Sequence, residues 1–382
     1  MKIILGITGG IAAYKAPELI RLFVKTGIEV EVVMTDAATR FVTPLTLQAL
    51  SGKPVHLSQW EGMMHIDLSR QADAILVAPA TADFIAKVAN GHADDLLSSL
   101  CLARDCPLYL APAMNRQMWE NAATRRNIER IRDDGIHLIG PEEGIQACGE
   151  TGFGRMTEPD DIASLMMSSL SAKTMLGKRF LITAGPTQEP IDPVRVITNL
   201  SSGKMGYEIA AAALQRGAEV VLVSGPTCLS SPYGAKLVSV GTAQQMLEAV
   251  MENIEGIDVF VGVAAVSDYH VVNRSGEKLK KQERLLLELE PNPDILKTVS
   301  SLENPPFCVG FAAETEKLHE NARAKLENKK VQMIVGNLAR DALGRDDNEV
   351  AIFTKEGVLK LPRASKRDIA CQILEEIGKR IS

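Results

Sequence analysis

KIILGITGG (residues 2–10) is a short apolar run that stops at a pair of glycines, and AAYKAPELIRLFVKTG (12–27) follows it at once with helical spacing. Apolar strand, glycine turn, helix closed by a glycine: this is the opening of a parallel α/β sheet. The reading extends outward. EVEVVMT (29–35), ADAILVAPAT (72–81), CPLYLAPAMN (106–115) and IHLIGP (136–141) are further apolar runs, each ending in a polar or proline-containing loop. After the polar stretch SSLSAKTMLGK (168–178) the pattern restarts with RFLITAGPT (179–187) and a helix in SSGKMGYEIAAAALQRG (201–217). AEVVLVSGP, IDVFVGVAAVSD, PFCVGFAAET and VQMIVGN are its later strands. EVAIFT and GVLKLP form a late hairpin, and KRDIACQILEEIGKRI is a terminal amphipathic helix. Strands alternating with helices put helices on both faces of the sheet. The expected fold class is therefore α/β: two doubly wound Rossmann-like domains with mainly parallel sheets. The boundary falls near residues 171–177, giving domains 1–172 and 173–382.

Bulk properties agree and exclude other classes. A chain of 382 residues is long for a single core. A net charge of −6 gives no general basic field for nucleic acid, and 4% aromatics offers few stacking platforms. The six cysteines (Cys101, Cys106, Cys148, Cys228, Cys308, Cys371) contain no C-x-x-C pair, so neither a zinc ribbon nor a disulfide framework is expected. The first apolar run is too short for a signal peptide or a membrane span. A soluble cytoplasmic protein is expected, with no nucleic-acid or membrane partner.

In such sheets ligands bind at the carboxyl ends of the strands. That makes Thr8, Thr35, Thr81 and Asn115 site candidates. Thr8, Gly9 and Gly10 offer backbone N–H groups to a phosphate, or form a tight turn and nothing more. Ala78, Pro79, Ala80 and Thr81 are small enough for a flat ring to approach, although Thr81 also reads as a helix N-cap. His65, in a loop before a polar helix, has a side chain suited to proton transfer, or a structural role. Ala113, Met114 and Asn115 end a strand, and the Asn115 amide suits a carboxylate or a ring edge. Met118 and Trp119 read as helix packing. Cys148 lies in the glycine-rich QACGETGFGRM, which looks like a mobile flap; its thiol is a proton donor or an inert group.

In the second half, SSGKMG (201–206) invites a P-loop reading that fails. Thr198 stands where the motif needs glycine, and Met205 where it needs serine or threonine. Asp268 ends an apolar strand as a metal or ribose ligand, and Lys278, Lys280 and Lys281 follow as a basic run or a solvated face. Lys325 and Lys329 are spaced to share a helix face.

Taken together, GITGGIAAYK, APATADFIAK, the His65 segment, PAMNRQMW and ACGETGFGRM resemble the FMN-dependent cysteine decarboxylases, in order over most of residues 1–160. The resemblance implies a flavodoxin-like flavoprotein domain with FMN bound between subunits of a trimer. It assigns Thr8, Gly9, Gly10, Thr35, Ala78, Pro79, Ala80, Thr81, Ala113 and Met114 to FMN. It makes His65 the catalytic histidine, Asn115 the contact for the substrate carboxylate, and Cys148 the donor that completes reduction of the enethiol. A cysteine carboxylate leaves poorly because the carbanion behind it is poorly stabilised. Oxidising the thiol-bearing carbon supplies an electron sink, and the flavin carries that redox chemistry.

ITAGPTQEPIDPVRVITNLSSGKMG, AAVSDY, KLKKQ, NPDI and GFAAET likewise resemble the phosphopantothenoylcysteine synthetases over about residues 176–360. One departure is Ser267, where alanine is common. The resemblance implies a nucleotide-binding ligase domain with CTP at Ala264, Ala265, Val266, Asp268, Lys278, Asn292, Pro293, Asp294, Ile295, Phe311, Lys325 and Lys329. Arg195, Asn199 and Ala265 would hold the acyl-cytidylate, Lys278 and Mg²⁺ would offset phosphate charge, and Asp268 is the metal candidate. CTP as the nucleotide rests on this resemblance alone. The substrates would be 4′-phosphopantothenate, L-cysteine and CTP, with the ligase product feeding the decarboxylase. The same families imply a homo-oligomer in which decarboxylase trimers are joined through ligase dimers, a dodecamer. The alternatives are a single-function flavin-dependent decarboxylase with a regulatory second half, a non-catalytic flavoprotein and a nicotinamide dehydrogenase. An intact Asn199 and Lys278 speak against the first. The presence of both His65 and Cys148 speaks against the second, and the missing G-x-G-x-x-G against the third.

Overall fold

The computed structural model describes residues 1–57, 64–281, 284–314, 316–338 and 345–381. Three motif ends lie outside the described residues: Gly62 and Met63 before His65, Gln282 after the lysine run, and Thr315. Contacts divide the chain into two compact units, Met1–Leu170 and Ser171–Ser382. Each carries a mainly parallel sheet flanked by helices, the doubly wound α/β class expected from the strand–turn–helix pattern.

The first unit is built on β1 (Lys2–Ile7), β2 (Glu29–Met34), β3 (Val55–His56), β4 (Ala74–Ala80), β5 (Leu108–Pro112) and β6 (His137–Leu138), in the order β3-β2-β1-β4-β5-β6. All five pairings are parallel. Alternate residues of β1 feed opposite layers. Ile3, Leu5 and Ile7 join one core under α1 (Ala16–Lys25), and Ile4 joins the other with Leu97 of α5 (Leu96–Ala103). Each such fully buried side chain contributes about 1.5–3 kcal/mol. A sheet covered on both faces reads as continuous apolar runs, which is why all seven residues of β4 are buried. The chain runs outward from β1 to β3 and then returns to β4 on the other side. The β1/β4 junction is therefore a topological switch point, where a crevice opens. An antiparallel hairpin, β7 (Glu142–Ile145) and β8 (Thr151–Arg155), stands apart from the sheet.

The second unit repeats the logic with eight strands. β9 (Arg179–Ala184), β12 (Glu219–Ser224), β13 (Lys236–Ser239), β14 (Val259–Gly262), β17 (Phe307–Glu314) and β18 (Met333–Leu338) are parallel, and β19 (Asp347–Thr354) and β20 (Val358–Ser365) extend the sheet antiparallel. The order is β13-β12-β9-β14-β17-β18-β19-β20. A bulge between Asn348 and Val350 interrupts the last pairing, and β20 lies at the edge. The β9/β14 junction is the second switch point. Two short antiparallel arms complete the unit: β10 (Gln188–Pro190) with β11 (Val196–Thr198), and β15 (Tyr269–Val271) with β16 (Leu289–Pro291). No helix among the described residues is long and apolar enough to cross a membrane.

Candidate active sites

Each switch point opens a cleft. In the first unit a cavity of about 1220 Å³ is lined by the turns after β1 and β2, by Thr81, by the loop after β5 and by the β7–β8 hairpin. Thr8 is buried and organises the floor. Its hydroxyl donates to the Pro79 carbonyl (2.7 Å) and accepts from the Thr81 N–H (3.1 Å). Gly9 is there for close approach: a Cβ would stand 2.4 Å from the Ala37 Cβ. Thr8, Gly9, Gly10, Thr35, Thr81, Ala113, Met114, Asn115 and Cys148 all reach this cavity. Ala78, Pro79 and Ala80 do not line it; β4 is buried there, and Pro79 acts through its bond to Thr8.

Asn115 caps α6 (Arg116–Glu120), its Oδ1 accepting from the N–H of Gln117 (2.8 Å) and Met118 (3.4 Å). Its Nδ2 donates to Glu150 Oε2 at 2.9 Å and lies 3.7 Å from Cys148 Sγ. Glu150 Oε1 also accepts from the Gln117 side chain (3.0 Å). These two amide donors hold the Glu150 carboxyl below its ordinary range. Gly154, at φ +134°, lets β8 press on the loop after β5. The Met114 N–H donates to its carbonyl (2.9 Å), and a Cβ there would fall 2.3 Å from Met114 O. The segment read as a flap is thus a hairpin latched to Asn115. Neither Glu150 nor Gln117 stood out in the sequence; acid and amide lie 33 residues apart.

His65 departs from its expected placement. It sits in the first turn of α3 (Met64–Gln71), not in a loop before a helix. It is not among the residues lining the cavity that holds Asn115 and Cys148.

In the second unit a cleft of about 850 Å³ opens at the carboxyl ends of β9, β14 and β17. The 264–268 loop is pinned along its length. The Ala264 N–H donates to Thr183 Oγ1 (3.3 Å), the Ala265 N–H to the Gly185 carbonyl (2.9 Å), and the Ser267 N–H to Thr187 Oγ1 (2.9 Å). Asn199 Nδ2 donates to the carbonyls of Ala265 (3.2 Å) and Val266 (3.1 Å). Asn292 is anchored in turn, its side chain donating to Ser267 O (2.9 Å) and its N–H to Asp268 O (2.8 Å). The Ser267 hydroxyl is buried and finds no partner among the described residues, consistent with an alanine serving at that position. At α9 (Lys204–Gln215), Gly203 has φ +77° and Gly206 would place a Cβ 2.6 Å from that of Ala184. These glycines answer to backbone conformation and to packing of helix on strand.

Asp294 caps α11 (Ile295–Ser300) and pairs with Lys329. Lys325, on α12 (Leu318–Asn328), donates to the Phe311 carbonyl (2.6 Å). Burial pushes both lysines below their ordinary range, while Asp268 works the other way on each. Ala264, Ala265, Val266, Asp268, Asn292, Pro293, Asp294, Ile295, Phe311, Lys325, Lys329 and Asn199 are all brought to this one cleft.

Arg195 and Lys278 are not among its lining residues. Arg195 immediately precedes β11, and its Nε (2.9 Å) and Nη2 (2.5 Å) both bond Asp192 Oδ2. Lys278 is exposed. Asp192 is buried, which would raise its carboxyl; bonds from Arg195 and from the N–H groups of Val194, Leu279 and Arg195 outweigh that and hold it far below the carboxylate range.

Comparison with known proteins bears on both halves. The family model described as the DNA/pantothenate metabolism flavoprotein C-terminal domain matches residues 175–381, and the Flavoprotein family model matches residues 1–171. The Haemophilus influenzae coenzyme A biosynthesis bifunctional protein CoaBC is 47% identical over 99% of this chain and 97% of its own length. The chain belongs to the CoaBC family. The Escherichia coli K12 CoaBC protein is 44% identical over 99% of this chain and 97% of its own. A crystal structure of the C-terminal domain of a CoaBC protein shares 43% identity, covering 55% of this chain and 98% of that one, with a TM-score of 0.49. The two matched family regions of this CoaBC-family chain each contain one of the clefts described above.

Proposed function

We propose that the second unit joins L-cysteine to 4′-phosphopantothenate at the expense of CTP, through an acyl-cytidylate. The first unit then decarboxylates the product, phosphopantothenoylcysteine, to 4′-phosphopantetheine. The chain is a bifunctional enzyme of coenzyme A biosynthesis. The observation that carries this reading is the presence of two built clefts, one in each unit. One gathers Asn115 and Cys148 at a glycine floor; the other gathers Asn199, Asp268, Lys325 and Lys329.

The first cleft suits FMN. Gly9 and Gly10 leave room against the backbone, Thr8 and Thr81 fix the floor, and the volume admits a tricyclic ring. Bound there, FMN supplies a reversible hydride acceptor beside the thiol-bearing carbon. The chain's own residues position and protonate. The Asn115 amide donates to the departing carboxylate, and the Cys148 thiol, beside it, supplies a proton to the product carbon. Decarboxylase trimers would bring His65 to the flavin of a neighbouring copy. The exposed Ile11 and Tyr14, at the cavity, support a partner surface there.

In the ligase the substrate carboxylate attacks the α-phosphorus of CTP and pyrophosphate leaves. The Lys278 ammonium offsets the negative charge that builds up. Asn199 then holds the acyl-cytidylate while the cysteine amine attacks its acyl carbon and CMP leaves. Asp268 would hold Mg²⁺ together with the nucleotide phosphates, as that ion prefers few carboxylates and several phosphate or water oxygens. Ligase dimers would cover the exposed Val194 and Val196 of the β10–β11 arm and Leu200 just beyond it, and joined to the trimers they give a dodecamer in the cytoplasm.

Incubation with 4′-phosphopantothenate, L-cysteine, Mg²⁺ and each nucleoside triphosphate in turn tests the whole reading. Pyrophosphate is expected with CTP, carbon dioxide afterwards, and the purified protein should be yellow. Pyrophosphate with ATP alone would replace CTP in the scheme. A second result concerns the Glu150 carboxylate, which occupies the amide proposed for the substrate carboxylate. Glu150→Ala is expected to lower the decarboxylase KM by about fivefold, the scale of one exchanged hydrogen bond. Steady-state kinetics on supplied phosphopantothenoylcysteine would show it; an unchanged or higher KM would mean Glu150 does not compete there.

A further inference from the structure

The segment that carries Lys278 is tied to the β10–β11 arm at two points. On one side the Ser275 N–H donates to the Ile191 carbonyl at 3.0 Å. On the other, the Leu279 N–H donates to Asp192 Oδ2 at 3.1 Å, and its carbonyl accepts from Arg195 Nη2 at 2.7 Å. Lys278 lies between the two ties. Asp192 is the node. Its side chain is fully buried, and its two oxygens accept from the Val194 N–H (2.8 Å), the Arg195 N–H (2.9 Å), two guanidinium nitrogens and Leu279. Five donors on one carboxylate use essentially all its lone pairs. The Arg195 guanidinium is held through Nε and Nη2, and Nη1 has no protein partner among the described residues.

We infer that Asp192 is a positioning residue of the ligase, a single carboxylate that sets Arg195 and the Lys278 segment as one unit. The two side chains assigned to successive half-reactions stand apart in sequence, and neither is fixed by the cleft itself. Asparagine at 192 has one acceptor oxygen in place of two, so it keeps either the Val194 and Arg195 N–H bonds made at Oδ1 or the Arg195 guanidinium and Leu279 bonds made at Oδ2, and turns an NH₂ group toward donors at the other position. The nucleotide cleft, built from Asn292 to Ile295, Phe311, Lys325 and Lys329, makes none of these bonds. Lys278 is itself one of the residues assigned to CTP, but its ammonium acts on the charge that builds up during attack, so loss of the node lowers the rate more than it weakens nucleotide binding. A displacement of about 1 Å in a reacting group costs roughly a hundredfold.

The inference rests on the ligase reading, and the test separates the two. Full-length wild type, Asp192→Asn, Asp192→Glu, Lys278→Gln and the Asp192→Asn/Lys278→Gln pair are assayed for pyrophosphate release, with CTP binding followed by calorimetry. Asp192→Asn is expected to lower kcat about a hundredfold, with the CTP dissociation constant within threefold of wild type. Asp192→Glu should recover part of the loss because it keeps two acceptor oxygens. With cysteine omitted, so that only the Lys278 half-reaction is read, the double variant should release pyrophosphate no more slowly than Lys278→Gln alone, since groups acting as a unit are non-additive. Wild-type kcat in Asp192→Asn, multiplicative losses in the double variant, or loss of CTP binding would each overturn the inference, the last by making Asp192 merely structural. If wild type itself releases no pyrophosphate from CTP, the ligase reading falls and the inference with it.

Discussion

Changing Lys278 to glutamine is expected to slow pyrophosphate release by on the order of 10²–10³ and leave decarboxylation of supplied phosphopantothenoylcysteine at the wild-type rate. The side chain is exposed, so its loss removes no core packing and opens no cavity. What it removes is a cation for the α-phosphoryl group, where charge accumulates as the carboxylate attacks. Deleting one such electrostatic contact costs on the order of 10²–10³ in kcat. Asn115, Cys148 and the glycine floor belong to the other compact unit, so their reaction should be untouched. Both activities measured on one preparation give an internal control for folding. Equal loss of both would contradict separate active sites.

A Gly9→Val protein is expected to purify colourless, with flavin content below about one tenth of wild type and no release of carbon dioxide. The first added carbon already falls 2.4 Å from the Ala37 Cβ and 3.0 Å from its carbonyl carbon. Ala37 belongs to the 3₁₀ turn Asp36–Arg40 after β2, and its Cβ is fixed to the backbone, so no rotamer change relieves the clash. The turns after β1 and β2 must separate, and both line the cavity. Pyrophosphate release should persist, because the ligase cleft is built from other residues. Flavin absorbance and the two product assays check this together; a yellow, fully active variant would remove the glycine floor from the account.

What the sequence made legible was what local chemistry dictates. β1 and β9 were readable because an apolar run ending in glycine has few other uses in a parallel sheet. The cleft residues of the 264–268 loop and the NPDI segment were readable because they follow strand ends. The β10–β11 and β15–β16 arms were not read as strands. QEP and VIT are too short for a period to show, and proline stands in one of them. His65 was placed outside the helix because nothing before Met64 signals its start. Glu150 and Asp192 were passed over for a different reason. Glu150 meets Asn115 across 35 residues, and the tie that makes Asp192 a node reaches Leu279 across 87; only the Val194 and Arg195 bonds of Asp192 fall within a local window. Hydrogen-bond nodes of this kind belong to the tertiary structure alone.

The outer margin of the larger sheet carries one more consequence. β20 offers its unpaired backbone to solvent, the arrangement by which identical chains zip together at high concentration. Here that strand exposes Lys360, Pro362 and Arg363, and a bulge interrupts its pairing with its neighbour. Proline denies an incoming strand a donor, and the cations repel a copy of themselves. The same eight residues that finish the sheet thereby guard the concentrated protein against fibrous aggregation.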